Sequence, residues 1–140
     1  MPDLNTVSPF PIKRTTTTGQ EIESHVSAYL QKQGFRLLYR NFRCRLGEID
    51  LIGLHQDQLL FVEVRFRRNA HYGSAAASVD FRKQQKLIKT ARFFLLTHPN
   101  MANYACRFDV IAVTLRHPGK QQAKHPEPEL EIDWIQSAFC

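Results

Sequence analysis

Asp50 and Glu63 are carboxylates set among some of the most apolar residues of the chain. The first stands in Gly47-Glu48-Ile49-Asp50-Leu51-Ile52, the second in Phe61-Val62-Glu63-Val64-Arg65-Phe66-Arg67, and Gln56-Asp57 lies between them. The pattern is that of a β-hairpin, although Gln-Asp is not a favoured two-residue turn. With those two residues at the turn, Leu51 faces Val62, Ile49 faces Val64, Asp50 faces Glu63 and Glu48 faces Arg65. Alternation then collects Ile49, Leu51, Val62 and Val64 on one apolar face, with Glu48, Asp50, Glu63, Arg65 and Arg67 on the other. Like charges directly opposed in a strand pair, ~5 Å apart at Cβ, repel. Protonation of one carboxyl, neutralisation by arginine, or a divalent cation would relieve the pair. Two carboxylates with carbonyl and water oxygens are the donor set that Mg²⁺ or Mn²⁺ prefers. Spacing alone favours a salt-bridged hairpin.

The charge around the hairpin alters that balance. The net charge is +6, and residues 36–92 hold twelve Lys and Arg against five Asp and Glu, whereas the flanking segments are near neutral. A local basic surface attracts polyanions, nucleic acid above all, through phosphate contacts and counterion release. A metal ion beside phosphate-attracting residues has an evident use in phosphodiester cleavage.

Other chemistries find little support. Cys44, Cys106 and Cys140 are three, widely spaced, and form no C-x-x-C, so free thiols in a reducing cytosol are expected. The N-terminal stretch lacks the apolar core of a signal peptide, and no run approaches the ~18 apolar residues of a membrane span. The expected location is therefore cytoplasmic, with no membrane partner. The six histidines are scattered without metal-ligand spacing, and most are expected at the surface. No Gly-rich phosphate cradle, Ser-His-Asp order or activated-cysteine motif is present, and no small-molecule cofactor is expected.

These residues need elements to position them. Residues 1–17, with three prolines and a threonine run, read as a flexible N-terminal arm, and 18–140 as a single domain. Thr18-Gly19-Gln20-Glu21 matches a capping box, and Ile22, Val26, Tyr29 and Leu30 follow at helical spacing until Gly34. Glu23 lies at the edge of that apolar stripe. Phe35 to Tyr39 predicts a first strand, followed by an Arg- and Asn-rich segment and then the hairpin. A loop covers Asn69 to Ser78, and a helix from about Val79 to Thr97 carries Phe81, Ile88, Ala91 and Leu95 on one face, with Gln84 interrupting that stripe. Ala105 to Leu115 predicts a buried strand, His117 to Pro128 a flexible connection, and Leu130 to Ile135 an edge strand before a short terminal helix. The order α-β-β-β-α-β-β indicates an α/β fold, a mixed sheet flanked by helices.

Taken together, Glu23, the strands Gly47 to Ile52 and Phe61 to Arg67, Tyr72-Gly73, Lys83-Gln84 and Arg107-Phe108-Asp109-Val110-Ile111 resemble the YraN-like family of small bacterial proteins. The resemblance runs from about Gly19 to Phe139. That family is placed among endonucleases related to archaeal Holliday junction resolvases, in the PD-(D/E)xK or restriction-endonuclease-like superfamily. The resemblance implies a restriction-endonuclease-like core in which Asp50 and Glu63 hold Mg²⁺ (or Mn²⁺). Glu23 would be a further acidic member, Gln84 would complete the site, and the metal-dependent hydrolysis of DNA phosphodiesters would follow. Arg40, Arg43, Arg45, Arg67, Arg68, Lys83 and Lys86 would hold flanking phosphates. Phe42 and Tyr72 are candidates for base stacking, although packing explains each more simply. For Asp109 a structural bond is the default.

One departure from the superfamily pattern matters. Arg65 stands where a lysine is expected; arginine keeps the charge and grips phosphate with two hydrogen bonds, but it does not lose a proton. An ion pair with Glu48 is its structural alternative. The competing functions are a non-catalytic nucleic-acid-binding module that keeps the nuclease fold, and an adaptor for an acidic protein. Oligomeric state stays open: resolvases act as dimers because a junction presents two symmetric cleavage positions, yet no coiled coil or dimer patch is legible.

Overall fold

The hairpin centred on Gln56 and Asp57 organises the sheet. In the computed structural model, which describes residues 10–11, 19–67, 79–116 and 129–139, both turn residues take positive φ, 49° and 64°. A tight turn between right-twisted strands requires that combination. The ladder runs from His55↔Gln58 to Leu51↔Val62 in the expected register. Around it lie β1 (Phe10–Pro11), α1 (Gly19–Lys32), β2 (Arg36–Cys44), β3 (Gly47–His55), β4 (Gln58–Arg67), α2 (Phe81–Thr97), β5 (Ala105–Arg116) and β6 (Glu129–Phe139). The sheet order is β1-β6-β5-β4-β3-β2. Only β4 and β5 are parallel, as the α2 crossover between them demands. The anticipated mixed α/β, restriction-endonuclease-like architecture is thus the one observed, with a two-residue strand, β1, added beside β6. Apart from Phe10 and Pro11, the expected arm lies outside the described residues, as do Thr18 of the capping box, the Asn69 to Ser78 loop with Tyr72 and Gly73, and the His117 to Pro128 connection.

Strand alternation divides the core in two. Leu60, Val62, Ile111 and Val113 pack with Ile22, Val26 and Leu30 of α1, while Leu59, Phe61, Val110 and Ala112 pack with Leu87, Ala91 and Phe94 of α2. Gly34, at φ 92°, ends α1 as expected, and the Phe35 N–H donates to the Leu30 carbonyl at 3.0 Å. On α2 the buried stripe is rotated from the one expected. Leu87, Thr90, Ala91 and Phe94 face inward, and Phe81 is 73% exposed. Asp80 caps the helix by accepting from the Lys83 N–H at 2.8 Å, so α2 starts at Phe81 rather than Val79.

Two strands are longer than anticipated. The Arg- and Asn-rich segment continues β2 to Cys44, with an irregularity between Leu37 and Tyr39. Residues 136–139 extend β6 instead of forming a terminal helix, because Asp109 fixes them to β5: its Oδ1 accepts the Ser137 N–H at 2.9 Å. Asp109 is fully buried. It also takes two bonds of 2.9 Å from Arg107 Nε and Nη2 and one of 2.8 Å from Trp134 Nε1. Arg107 Nη1 in turn donates to Gln58 at 2.9 Å. The structural role foreseen for Asp109 is therefore a buried network tying β4, β5 and β6 together.

The hairpin also depends on a close approach. A Cβ on Gly53 would overlap the Phe35 ring and the Arg36 carbonyl. Gly53→Ala is expected to destabilise the fold by about 2 kcal/mol, since backbone cannot yield as a side-chain tip can; urea unfolding checks this.

Candidate active site

The ladder between β3 and β4 does not continue past Leu51 and Val62 among the described residues. Asp50 and Glu63, Ile49 and Val64, and Glu48 and Arg65 are therefore not the paired positions that the hairpin pattern predicts. At this point the Asp50 Oδ2 accepts the Val64 N–H at 2.8 Å. A side chain thus takes over a backbone acceptor's task where the strands part. The alternation of β3 breaks in the same place. Leu51 packs with α1, whereas Ile52 and Ile49 both belong to the α2 cluster, so Ile49 does not share the apolar face of Leu51, Val62 and Val64. On β2, where Arg40 pairs with Leu51 and Phe42 with Ile49, the intervening Asn41 takes φ 51°. Asparagine tolerates this left-handed conformation better than most residues with a side chain.

The kink sets Asp50 between the two helical layers. From β4, Glu63 brings its carboxyl beside that of Asp50. From α2, Lys83 Nζ reaches to 3.3 Å from Glu63 Oε2. Glu63 is 6% exposed. Its Oε2 nevertheless has no hydrogen-bond partner among the described residues, because the Lys83 approach is an ion pair without hydrogen-bonding geometry. Burial, the hydrogen bond to Glu63 and the Glu63 charge push Asp50 up to about 7 from an ordinary 3.8, against the Val64 N–H and the Lys83 charge. From α1, Glu23 stands close enough for the Asp50 charge, after burial, to raise its pKa, while a hydrogen bond with Asn41 opposes the rise.

The expected acidic residues Glu23, Asp50 and Glu63 are thus neighbours. Lys83, expected among the phosphate contacts, forms an ion pair within the cluster, and Asn41, which bonds to Glu23, was not anticipated at all. Only the residue type at a kinked strand could have signalled Asn41. Gln84 follows Lys83, but its Nε2 is engaged with the Val79 carbonyl at 2.9 Å. Arg65 is half-buried on β4. Glu48, offered as its ion-pair partner, pairs with Arg43 across β2 and β3 at 3.2 Å. Arg40 lies beside Glu23 and contacts Ser24 at 3.5 Å. Arg43 and Arg45 flank the β2–β3 turn, Lys86 is exposed on α2, Arg67 ends β4, and Arg68 lies outside the described residues. Phe42 is packed edge-on against Phe94, ring centres 5.2 Å apart, which accounts for it without a base. Among the histidines, His55 is buried, with Nε2 3.2 Å from the Gln33 carbonyl.

A divalent cation fits this donor set. The buried Oε2 of Glu63, which faces the Lys83 ammonium at 3.3 Å but has no hydrogen-bond partner among the described residues, is an anionic oxygen beside the Asp50 carboxyl of the kind an oxygen-seeking ion takes as a ligand. No three His, Cys, Asp or Glu side chains form a cage among the described residues. The remaining ligands would thus be carbonyl and water oxygens, as is common for Mg²⁺. No helix among the described residues is long and apolar enough to cross a membrane.

Known proteins share this chain's pattern. The model of the uncharacterised protein family UPF0102 matches residues 22–113, which include Glu23, Asp50, Glu63, Lys83 and Gln84. A UPF0102 protein of Stutzerimonas stutzeri (strain A1501) is 45% identical over 128 residues, covering 91% of this chain and 98% of its own. Another, of Alcanivorax borkumensis, is 43% identical over 128 residues, covering 91% and 95%. A third, of Pseudomonas putida (strain GB-1), is 42% identical over 129 residues, covering 92% and 98%.

Proposed function

The chain belongs to the uncharacterised protein family UPF0102, the YraN family, and we propose that it is a metal-dependent endonuclease hydrolysing phosphodiester bonds of branched or processed DNA. The observation that carries this reading is the junction of Asp50, Glu63 and Lys83, with a buried carboxylate oxygen that accepts no hydrogen bond among the described residues, on a chain whose middle is strongly basic. Asp50 and Glu63 would hold Mg²⁺ or Mn²⁺. Such an ion supplies Lewis-acid polarisation of the phosphate and a more acidic water.

This chain's own groups do the rest. The Lys83 ammonium meets the charge that builds on phosphate in the transition state, a task for which Arg65 also has the charge. Lys83 alone of the two can release a proton, so it offers what arginine at position 65 cannot. Glu23 and Gln84 orient the attacking water; as its oxygen bonds to phosphorus, Glu23 accepts a water proton, and the ester oxygen, departing with the electron pair of the broken P–O bond, takes a proton from solvent. Arg40, Arg43, Arg45, Arg67, Arg68 and Lys86 hold phosphates on either side of the cut.

The test is a panel of branched, flapped, single-stranded and duplex DNAs with Mg²⁺ or Mn²⁺. The wild type should cut at least one of them only with metal, and Glu63→Ala should fall to background. Lys83→Met should lower the rate roughly a hundredfold, whereas Arg65→Lys should raise it. Cleavage indifferent to Glu63 would refute the site. Arg65 also favours a second reading, a module of the same fold that binds DNA without cutting it. Salt-sensitive binding with no cleavage of any substrate would select that one.

A further inference from the structure

A cavity of about 480 Å³ opens at the turn between β2 and β3, lined by Arg43, Cys44, Arg45, Leu46 and Phe93. Its walls are of two kinds. Leu46 and Phe93 are large apolar side chains left 46% and 38% exposed, and the arginines place two guanidinium groups beside them. The frame is firm. A Cβ on Gly47 would come within 2.8 Å of Thr90 Oγ1, so the turn is packed directly on α2, and Phe93 itself leans on Phe42 with ring centres 6.4 Å apart.

We propose that this cavity receives one unpaired nucleotide of the DNA substrate, its base against Phe93 and Leu46 and its phosphate on Arg43 and Arg45. The inference rests on the nuclease reading and adds to it the feature that would make the enzyme prefer non-duplex DNA. A base stacked inside a duplex cannot enter, while an unpaired one exposes a flat apolar face that aromatic side chains bind regardless of sequence. The volume lies in the range of small-molecule sites. Arg43 also pairs with Glu48 at 3.2 Å, but that ion pair is exposed and Arg45 leaves the rim with a net positive charge; charge complementarity therefore selects a polyanion as the occupant, whereas a second copy of this chain would bring another basic segment against the arginines. Phe93 stands ten residues beyond Lys83 on α2, about 15 Å at 1.5 Å per residue. At ~3.4 Å of rise per nucleotide that is a span of a few nucleotides, so a strand reaching both would be held a short way from the cut.

The experiment measures binding by fluorescence anisotropy in EDTA, where cleavage is halted, using a blunt duplex and the same duplex with a short single-stranded flap. Phe93→Ala should weaken binding of the flapped DNA about tenfold, the scale of one base stacked on an aromatic ring, and change binding of the blunt duplex by less than about twofold. Phe93→Trp should restore it, and Leu46→Ala, at a more exposed position, should repeat the selective loss in smaller measure. One abasic nucleotide in the flap should reproduce the loss, and the combination with Phe93→Ala should cost no more than either alone. Equal losses on both DNAs, or none, would overturn the pocket while leaving the endonuclease reading standing. A wild type that binds neither DNA would overturn both.

Discussion

Asp50→Asn is expected to lower metal-dependent cleavage by at least about a thousandfold and, at the same time, to make the folded protein more stable at pH 8. The two effects have one origin. Asp50 is held by burial and by Glu63 with its carboxyl pushed up to about 7 from 3.8. Below the ordinary carboxylate range both folded and unfolded chains keep this proton, so the native state carries no penalty there. Between roughly pH 4 and 7 the unfolded chain gives it up while the native state retains it, and stability falls as pH rises. Above 7 the native state must hold a charge it disfavours. At ~1.36 kcal/mol per pKa unit, and allowing for sharing of the charge between the two carboxyls, the penalty is about 2–4 kcal/mol. Asparagine is free of it and can still accept the Val64 N–H. Its melting temperature at pH 8 should exceed the wild type's by about 5–10 °C, with the gap closing near pH 4. Millimolar Mg²⁺ should raise the wild type and leave the variant unmoved. A variant melting below the wild type at pH 8 without metal would refute this account of the site.

On β5, where Asp109 lies beside Val62 of β4, the expected effect has the opposite sign. Asp109→Ala removes a fully buried carboxylate that accepts from Arg107, Trp134 and the Ser137 N–H. Arg107, itself buried, would be left with Gln58 as its remaining hydrogen-bond partner among the described residues and with no carboxylate to compensate its charge there. Breaking such a pair costs about 3–5 kcal/mol, most of it the desolvation of the orphaned ion. Urea denaturation should show that loss, and the joint change Arg107→Met with Asp109→Leu should recover much of it, because it removes both charges together. A loss below about 1 kcal/mol would mean that β6 is held by its ladder and apolar contacts alone.

Much of this was legible from residue patterns. Period-two alternation found the hairpin, the turn placed at Gln56-Asp57 set the register that is observed as far as Leu51 and Val62, and helical spacing found Ile22, Val26 and Leu30. What escaped prediction lies where a tertiary contact overrides the local pattern. Ile49 reads as a partner of Leu51, yet β3 changes face at Asp50, because its carboxylate rather than its backbone meets Val64. The tail of β6 has little strand character, and a side chain 28 positions away, Asp109, holds it in place. Lys83 shows the same limit at the candidate site. Its charge placed it among the flanking-phosphate contacts, but nothing in the spacing along α2 reveals that its ammonium reaches Glu63 of β4.

The distribution of the cluster over the whole architecture affects the growing chain as it leaves the ribosome. Glu23 comes with α1 and Asp50 and Glu63 with the hairpin, but Lys83 arrives only with α2, and the parallel seating of β5 comes later still. Domains take shape from the N-terminus as they are synthesised. A nascent chain with α1 and the hairpin in place therefore holds crowded carboxylates and no ammonium to balance them. On the endonuclease reading, the site is complete only once α2 has docked, so a chain released before that helix would be expected to lack cleavage activity.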